Sequence, residues 1–315
     1  MIKNRFFAGL IGLLLMTNST TSAQNCSIFL PEILNNYPNV RDMAISPQGD
    51  ELYFSVQSYK KEFSSIVRLV KVNERWQNPE IATFSGQFTD LEPAFHPNGL
   101  ALYFASNRPK IDTSTQIGDY DIWVVTRTDY NSEWSEPKNL GSVINTDKNE
   151  FYPSVAANGN LYFTAEYSDS KGKEDIYLSE FQFGQYQKPE PLPTAINSEK
   201  WEFNAYVAPD ELYVIFTSYG RADDMGGGDL YISYKDKNNN WVPAENMGKA
   251  INSAKLDYCP FVDTESNILY FTSEKSDMPK SFKSKNNLEE ILNHFSTYPN
   301  GLSRIYFISF ETATK

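Results

Sequence analysis

One pattern is written five times along this chain of 315 residues. A repeat of about 50 residues constrains a fold more than any local signal, because each unit must stack on its neighbours to bury its own faces. The clearest copy runs from Asp90 through the turn Pro97-Asn98-Gly99 to the strand Leu102-Tyr103-Phe104, then Asp121-Ile122-Trp123, and ends on Ile144-Asn145-Thr146. The strand recurs as Leu52-Tyr53-Phe54, Leu161-Tyr162-Phe163, Leu212-Tyr213 and Leu269-Tyr270-Phe271. The third element recurs as Asp175-Ile176-Tyr177 and Asp229-Leu230-Tyr231, with a degenerate Arg304-Ile305-Tyr306 in the last copy. The tail returns at Ile196-Asn197-Ser198 and Ile251-Asn252-Ser253.

Each copy supplies four short strands with a tight turn after the first, which is an antiparallel meander. A lone meander leaves two faces uncovered. Arranged radially, the sheets cover one another, and the expected fold is all-β: a five-bladed β-propeller of four-stranded antiparallel blades. These turns, the Leu-Tyr-Phe strands and the Asp-Ile-Tyr strands resemble the TolB-type WD40-like (PD40) propeller repeat family over nearly the whole mature chain. Blades are expected at about 40–88, 89–147, 148–198, 199–253 and 254–310, the last completed by residues 26–34. The fifth copy ends at its third strand, and Leu30-Pro31-Glu32-Ile33 matches Asn78-Pro79-Glu80-Ile81, the fourth strand of copy one. The N-terminal strand should therefore close the ring. An insert at 275–301 interrupts the last blade, and Leu288, Ile291, Leu292 and Phe295 within it have helical spacing, which fits a short helix on the rim or a lid over the channel.

Residues 1–23 have the form of a signal peptide, with Lys3 and Arg5 before an apolar run from Phe6 to Met16 and small residues before a cut after Ala23. The run is too short to span a bilayer, so residues 24–315 are expected as one secreted or periplasmic domain, monomeric and without membrane insertion. Asn25 does not suit lipid attachment at Cys26. A net charge of -12 with no Lys/Arg run excludes nucleic acid as the expected partner. Cys26 and Cys259 fall on the outermost and innermost strands of the closing blade. Three strand spacings separate them, roughly 14 Å, where a disulfide needs Cα atoms within about 7 Å. Two free thiols follow.

Much chemistry is missing from the sequence. The two histidines, His96 in a repeat turn and His294 in the insert, form no metal-ligand spacing, and there is no nucleophile elbow or phosphate loop. Gly226-Gly227-Gly228 after Asp223 and Asp224 reads as a hairpin tip rather than a calcium loop. No metal or cofactor is expected.

What recurs is an acid just before each first strand: Asp90, Glu150, Glu202 and Asp257, with Arg41 and Asp42 in copy one. First strands line a propeller's channel, so these groups converge on one mouth, either as fasteners within the blades or as a site. Their neighbours vary, Arg41, Tyr152, Trp201 and Tyr258, and Arg108 and Arg221 follow the second strands. Carboxylates with flat aromatics and a few cations suit sugars. The sequence thus points to a carbohydrate-active protein of polysaccharide degradation that acts on uronate-containing oligosaccharides as a lyase or dehydratase. In that reading Arg41, Asp90, Trp201, Asp257, Arg108 and Arg221 bind the substrate, and Tyr152 or Tyr258 takes the proton. Glu150 and Glu202 as an acid and base pair would instead make a glycoside hydrolase. A non-catalytic TolB-like propeller that binds a protein or glycan is the competing class.

Overall fold

The computed structural model describes residues 26–110 and 116–311; the signal-peptide assignment lies outside them. Five four-stranded antiparallel sheets follow one another around a ring, each with its first strand innermost. The first strands are Asn39–Ile45, Asp90–Phe95, Glu150–Val155, Trp201–Val207 and Asp257–Asp263. The first blade carries an extra two-residue strand, Arg75–Trp76.

The Leu-Tyr-Phe motif shows why the sheets stack. Successive strand side chains point to opposite faces. Phe54 therefore packs between blades five and one, while Tyr53 packs between blades one and two. The same division puts Phe104 and Tyr103, Phe163 and Tyr162, and Phe271 and Tyr270 on opposite sides of their sheets. Five apolar clusters result, one at each blade interface. The Ile-Asn tail is equally local in its logic. Asn145 accepts from the Ile122 amide and donates to its carbonyl, both at 2.9 Å, and so takes the place of strand backbone at the blade edge.

The ring is closed by the N-terminus, in a register earlier than the sequence match implies. Ser27–Ile28 is the closing strand, with Ser27 opposite Phe307 and Ile28 opposite Tyr306. Pro31–Leu34 forms one turn of helix instead of a strand. Leu30 takes a left-handed conformation and Pro31 sits at the start of the helix, where its missing N–H costs nothing. Leu34 is then buried against Val40, Tyr270 and Ile305, and the turn seals the seam between blades five and one. Arg304 stands where blades two, three and four have Asp121, Asp175 and Asp229. It donates to the carbonyls of Tyr37 (2.6 Å) and Pro38 (3.1 Å), binding the last strand to the linker that follows the closing strand.

Cys26 and Cys259 are both free. The insert holds the helix Leu288–Ser296, capped by Asn287 and Glu290 in a reciprocal box, and Leu288, Leu292 and Phe295 remain exposed on it. Among the described residues no helix is long and apolar enough to cross a membrane.

Candidate functional site

The recurring acids are buried, and each is engaged by the tail of the preceding blade. Glu150 accepts from the Thr146 hydroxyl at 2.7 Å, and Glu202 accepts from the Ser198 hydroxyl (2.7 Å) and amide (2.9 Å). Asp257 accepts from the Ser253 amide at 2.5 Å. In each case the donor is the Thr or Ser that ends the Ile-Asn tail, four residues earlier, so the motif and the acid recur together because they are one lock. Asp90 is held by Ser85 (2.8 Å) and by Arg108 (2.7 Å), and Arg221 closes on Glu202 at 3.0 Å. Arg108 and Arg221 also donate to the carbonyls of Phe84 and Ile196, which pins tail to strand. Burial pushes Glu150 up to about 7 and Asp257 up to about 6. Trp201 is apart from all of these, 40% exposed, with Lys173 over its ring and Tyr219 edge-on to it.

Two residues further along the same strands lies a second ring, which the sequence pattern did not single out. Asp42, Glu92, Tyr152, Asn204 and Cys259 all have positive φ, between 40° and 62°. Each sits where the pairing of first and second strands slips, a β-bulge that turns the side chain toward the channel. A left-handed conformation costs a non-glycine residue on the order of 1–2 kcal/mol, and five together need support. Hydroxyls of the preceding blade provide part of it. The Asp42, Glu92 and Asn204 amides donate to Thr272 (3.0 Å), Ser55 (3.3 Å) and Thr164 (3.0 Å), all at the position after the Leu-Tyr-Phe motif or its equivalent. In blade two that position is Ala105, and the amide it would have served, that of Tyr152, donates instead to Glu92 at 2.7 Å.

Around Glu92 the ring becomes a polar network. Arg41 Nη2 lies 2.5 Å from Glu92 Oε1 and 3.1 Å from Cys259 Sγ, and Asn204 Nδ2 reaches the same Glu92 oxygen at 3.3 Å. Arg41 Nε stands 2.9 Å from Asp42 Oδ2, a charge contact at an angle that makes no hydrogen bond. Both Asp42 oxygens are buried without a well-formed hydrogen bond, the Ser55 hydroxyl and the Glu92 amide standing near them at poor geometry. Burial, with Glu92 adding to it against the pull of Arg41, pushes Asp42 up to about 7. Burial also raises Glu92 and the Cys259 thiol. Tyr152 donates its hydroxyl to the Pro260 carbonyl at 2.9 Å, and Tyr258 shares its hydroxyl with Ser303 at 3.0 Å beneath the Arg41 guanidinium. Burial raises both tyrosines far above the ordinary range, which favours the protonated phenol over the tyrosinate. Among the described residues, Asp42, Glu92 and Cys259 are the group whose donor atoms converge closely enough for a metal ion.

The open space lies on the other side of this network. A cavity of about 560 Å³ enters the channel from the end where first and second strands are joined by turns. Its walls include Met43, Phe95, Tyr206 and Phe261 together with Pro93, Pro153 and Pro260, and of the bulge ring Glu92 and Tyr152 line it. Gln48, Thr264 and Glu265 stand among the turn residues at its mouth. None of Asp90, Glu150, Glu202 or Asp257 lines it. The expected site residues are thus divided. Tyr152 lines the cavity, Arg41 and Tyr258 belong to the network beside it, and the acids, their arginines and Trp201 sit at the opposite end of the strands. Asp42, grouped in the sequence with the recurring acids, sits in the bulge ring instead, and Glu92, Asn204 and Cys259 could have been found from one signal: they vary from copy to copy within a repeat whose flanks stay constant.

No family model matches the chain, and no curated protein matches it either. Solved structures do. A structure described as a complex of BT0996 and RGII aligns at 9% identity over 88% of this chain and 90% of its own, with a TM-score of 0.52. An exo-1,5-alpha-L-arabinanase from a bovine ruminal metagenomic library aligns at 11% identity over 85% and 92%, with a TM-score of 0.50. A TolB-type protein of Agrobacterium tumefaciens aligns at 15% identity over 76% and 71%, with a TM-score of 0.48. At these identities the first two matches bear out the propeller fold.

Proposed function

We propose that this protein is an exported, monomeric carbohydrate-active propeller that takes a short oligosaccharide into the turn-side cavity. The observation that carries this reading is the cavity itself: about 560 Å³, walled by aromatic rings and prolines, with a single carboxylate, Glu92, among the bulge-ring residues that line it. That is the composition of a small-molecule site, mostly apolar with a few placed polar groups. Aromatic faces stack on sugar rings, and a carboxylate held by Arg41, Asn204 and the Tyr152 amide is fixed in position to accept from a hydroxyl. The arabinanase and the BT0996 complex share this fold, and that likeness is a further, associational, reason to choose a sugar.

Elimination on a uronate is the reading the geometry favours least. It needs an arginine free for the sugar carboxylate and a tyrosine able to take a proton. Arg41 already faces Glu92, Asp42 and Cys259, and both tyrosines are raised away from neutrality by burial. A neutral sugar fits the acidic floor better than an acidic one, and hydrolysis with Glu92 as one of the two carboxylates is the enzymatic form of this proposal. Calorimetry against a panel of neutral and uronate oligosaccharides, with assays for reducing ends and for unsaturated uronates, tests it. Gln48→Trp, at an exposed mouth position, should weaken binding about tenfold or more, worth 1.4 kcal/mol, while leaving the fold intact. Binding that ignores this substitution would place the ligand elsewhere.

A further inference from the structure

The bulge ring holds two groups that the carbohydrate reading does not use, Asp42 and Cys259, on either side of the Arg41 guanidinium that also holds Glu92. We infer that Asp42, Glu92 and Cys259 form a site for a thiophilic divalent cation of the zinc class, and that Arg41 is the side chain the ion displaces. The ligand atoms of the three residues lie within 4.8 Å of one another, and all three residues are buried. A tetrahedral zinc site needs its ligand atoms roughly 3.5 Å apart, so with all of them within 4.8 Å closure requires a contraction of at most about 1.3 Å. The wedge that keeps them apart is Arg41, which touches all three residues.

Two further observations point to a ligand. Neither oxygen of Asp42 makes a well-formed hydrogen bond although the residue is only 1% exposed, with the Ser55 hydroxyl and the Glu92 amide near it at poor geometry, and Arg41 Nε is likewise unsatisfied. A buried carboxylate normally has its lone pairs taken, and one left open beside a badly angled guanidinium is suited to a different cation. Arg41 can also leave: at 15% its side chain is the more exposed partner in its contacts with Asp42 and Glu92. Asn204 Oδ1, 3.5 Å from Cys259 Sγ, is placed to serve as a fourth ligand. A thiolate with two carboxylates selects zinc, cobalt or cadmium over magnesium or calcium. In the binding step Cys259 loses its thiol proton to solvent, a sulfur–metal bond forms, and the guanidinium moves out still protonated. Charge then balances. The cluster exchanges one positive charge of Arg41 and one thiol proton for a divalent ion.

Cobalt is the probe, because a cobalt–thiolate bond gives a near-ultraviolet charge-transfer band that oxygen ligands do not. The full chain, chelator-treated and carrying Cys26→Ser to remove the other thiol, should take up one cobalt ion with that band, and zinc should bleach it. Adding Cys259→Ser should abolish the band. Arg41→Met, which removes the occupant and keeps much of its volume, should tighten cobalt binding about tenfold or more, since the ion no longer competes for a site the guanidinium fills most of the time. A purely structural Arg41 would give no such gain. Absence of the band in both the Cys26→Ser protein and its Arg41→Met derivative overturns the proposal, as does a band that survives Cys259→Ser. None of these readouts involves sugar, so a failed cobalt titration and a failed sugar titration are distinguishable even though both readings use Glu92.

Discussion

Two rings lie two residues apart on the same five inner strands, and they have opposite histories in the sequence. The outer ring, Asp90, Glu150, Glu202 and Asp257, is nearly invariant from blade to blade; the bulge ring, Asp42, Glu92, Tyr152, Asn204 and Cys259, never uses the same residue twice. Recurrence in a repeat protein reports what every unit must do for itself. Each blade must fasten its tail to the next first strand, and an acid over a Thr or Ser does that in all but the first. What the assembled ring does only once has to be written in positions that break the repeat. The bulge ring has that character: strained backbones, an arginine shared among three blades, and a carboxylate that serves an amide of the next blade where its own blade lacks the hydroxyl.

This difference can be broken by mutation. Glu202→Ala would remove the acceptor of the Ser198, Ser218 and Arg221 hydrogen bonds and leave a half-buried guanidinium unpaired. The expected loss is about 3 kcal/mol, read by chemical denaturation. Ligand affinity, measured where the protein remains folded, should stay unchanged. A selective loss of binding with normal stability would return Glu202 to the site.

A smaller effect, and one that draws on both rings, is expected from pH. Asp42 of the bulge ring and Glu150 of the outer ring are each pushed up to about 7 by burial, as is Glu174, just ahead of the third strand of blade three, and Asp257 of the outer ring up to about 6. A carboxyl raised in the folded state favours folding in its protonated form. Its contribution is full below the unfolded pKa near 4 and disappears as pH rises through the folded value. Melting temperature should therefore rise as pH falls from about 8 to about 5. Glu211 works the other way, since hydrogen bonds from Tyr162 and Asn160 lower it despite its burial. Asp42→Asn should flatten part of the slope, and a melting temperature that falls steadily over this range would contradict the burial of these groups.

The fold was legible because its determinants are local and repeated: turn residues, alternating Leu-Tyr-Phe, tails that end in Asn. Closure was legible too, but its register was not. The likeness of Leu30–Ile33 to Asn78–Ile81 is real, yet a left-handed Leu30 ahead of Pro31 converts the segment to a helical turn whose value lies in burying Leu34. That contact joins opposite ends of the chain. The helix of the insert was readable from its spacing, and its Asn287 cap sets the start one residue after the cap. The turn-side cavity and the network beside it were not legible, for a physical reason. Nothing in a single copy shows that Asp90 is satisfied by Arg108, or that Glu92 lies on a bulge facing residues 51, 112 and 167 positions away in sequence, at Arg41, Asn204 and Cys259.

The central claim is which end of the strands meets the ligand. Amide hydrogen exchange, followed with and without a bound oligosaccharide, reports on both ends in one measurement. Protection confined to the turn side, at residues 46–49, 93–97, 153–156 and 261–265, is what the cavity predicts. Protection at residues 88–90, 147–150, 199–202 and 254–257, with the turns unchanged, would contradict it and give the site back to the recurring acids.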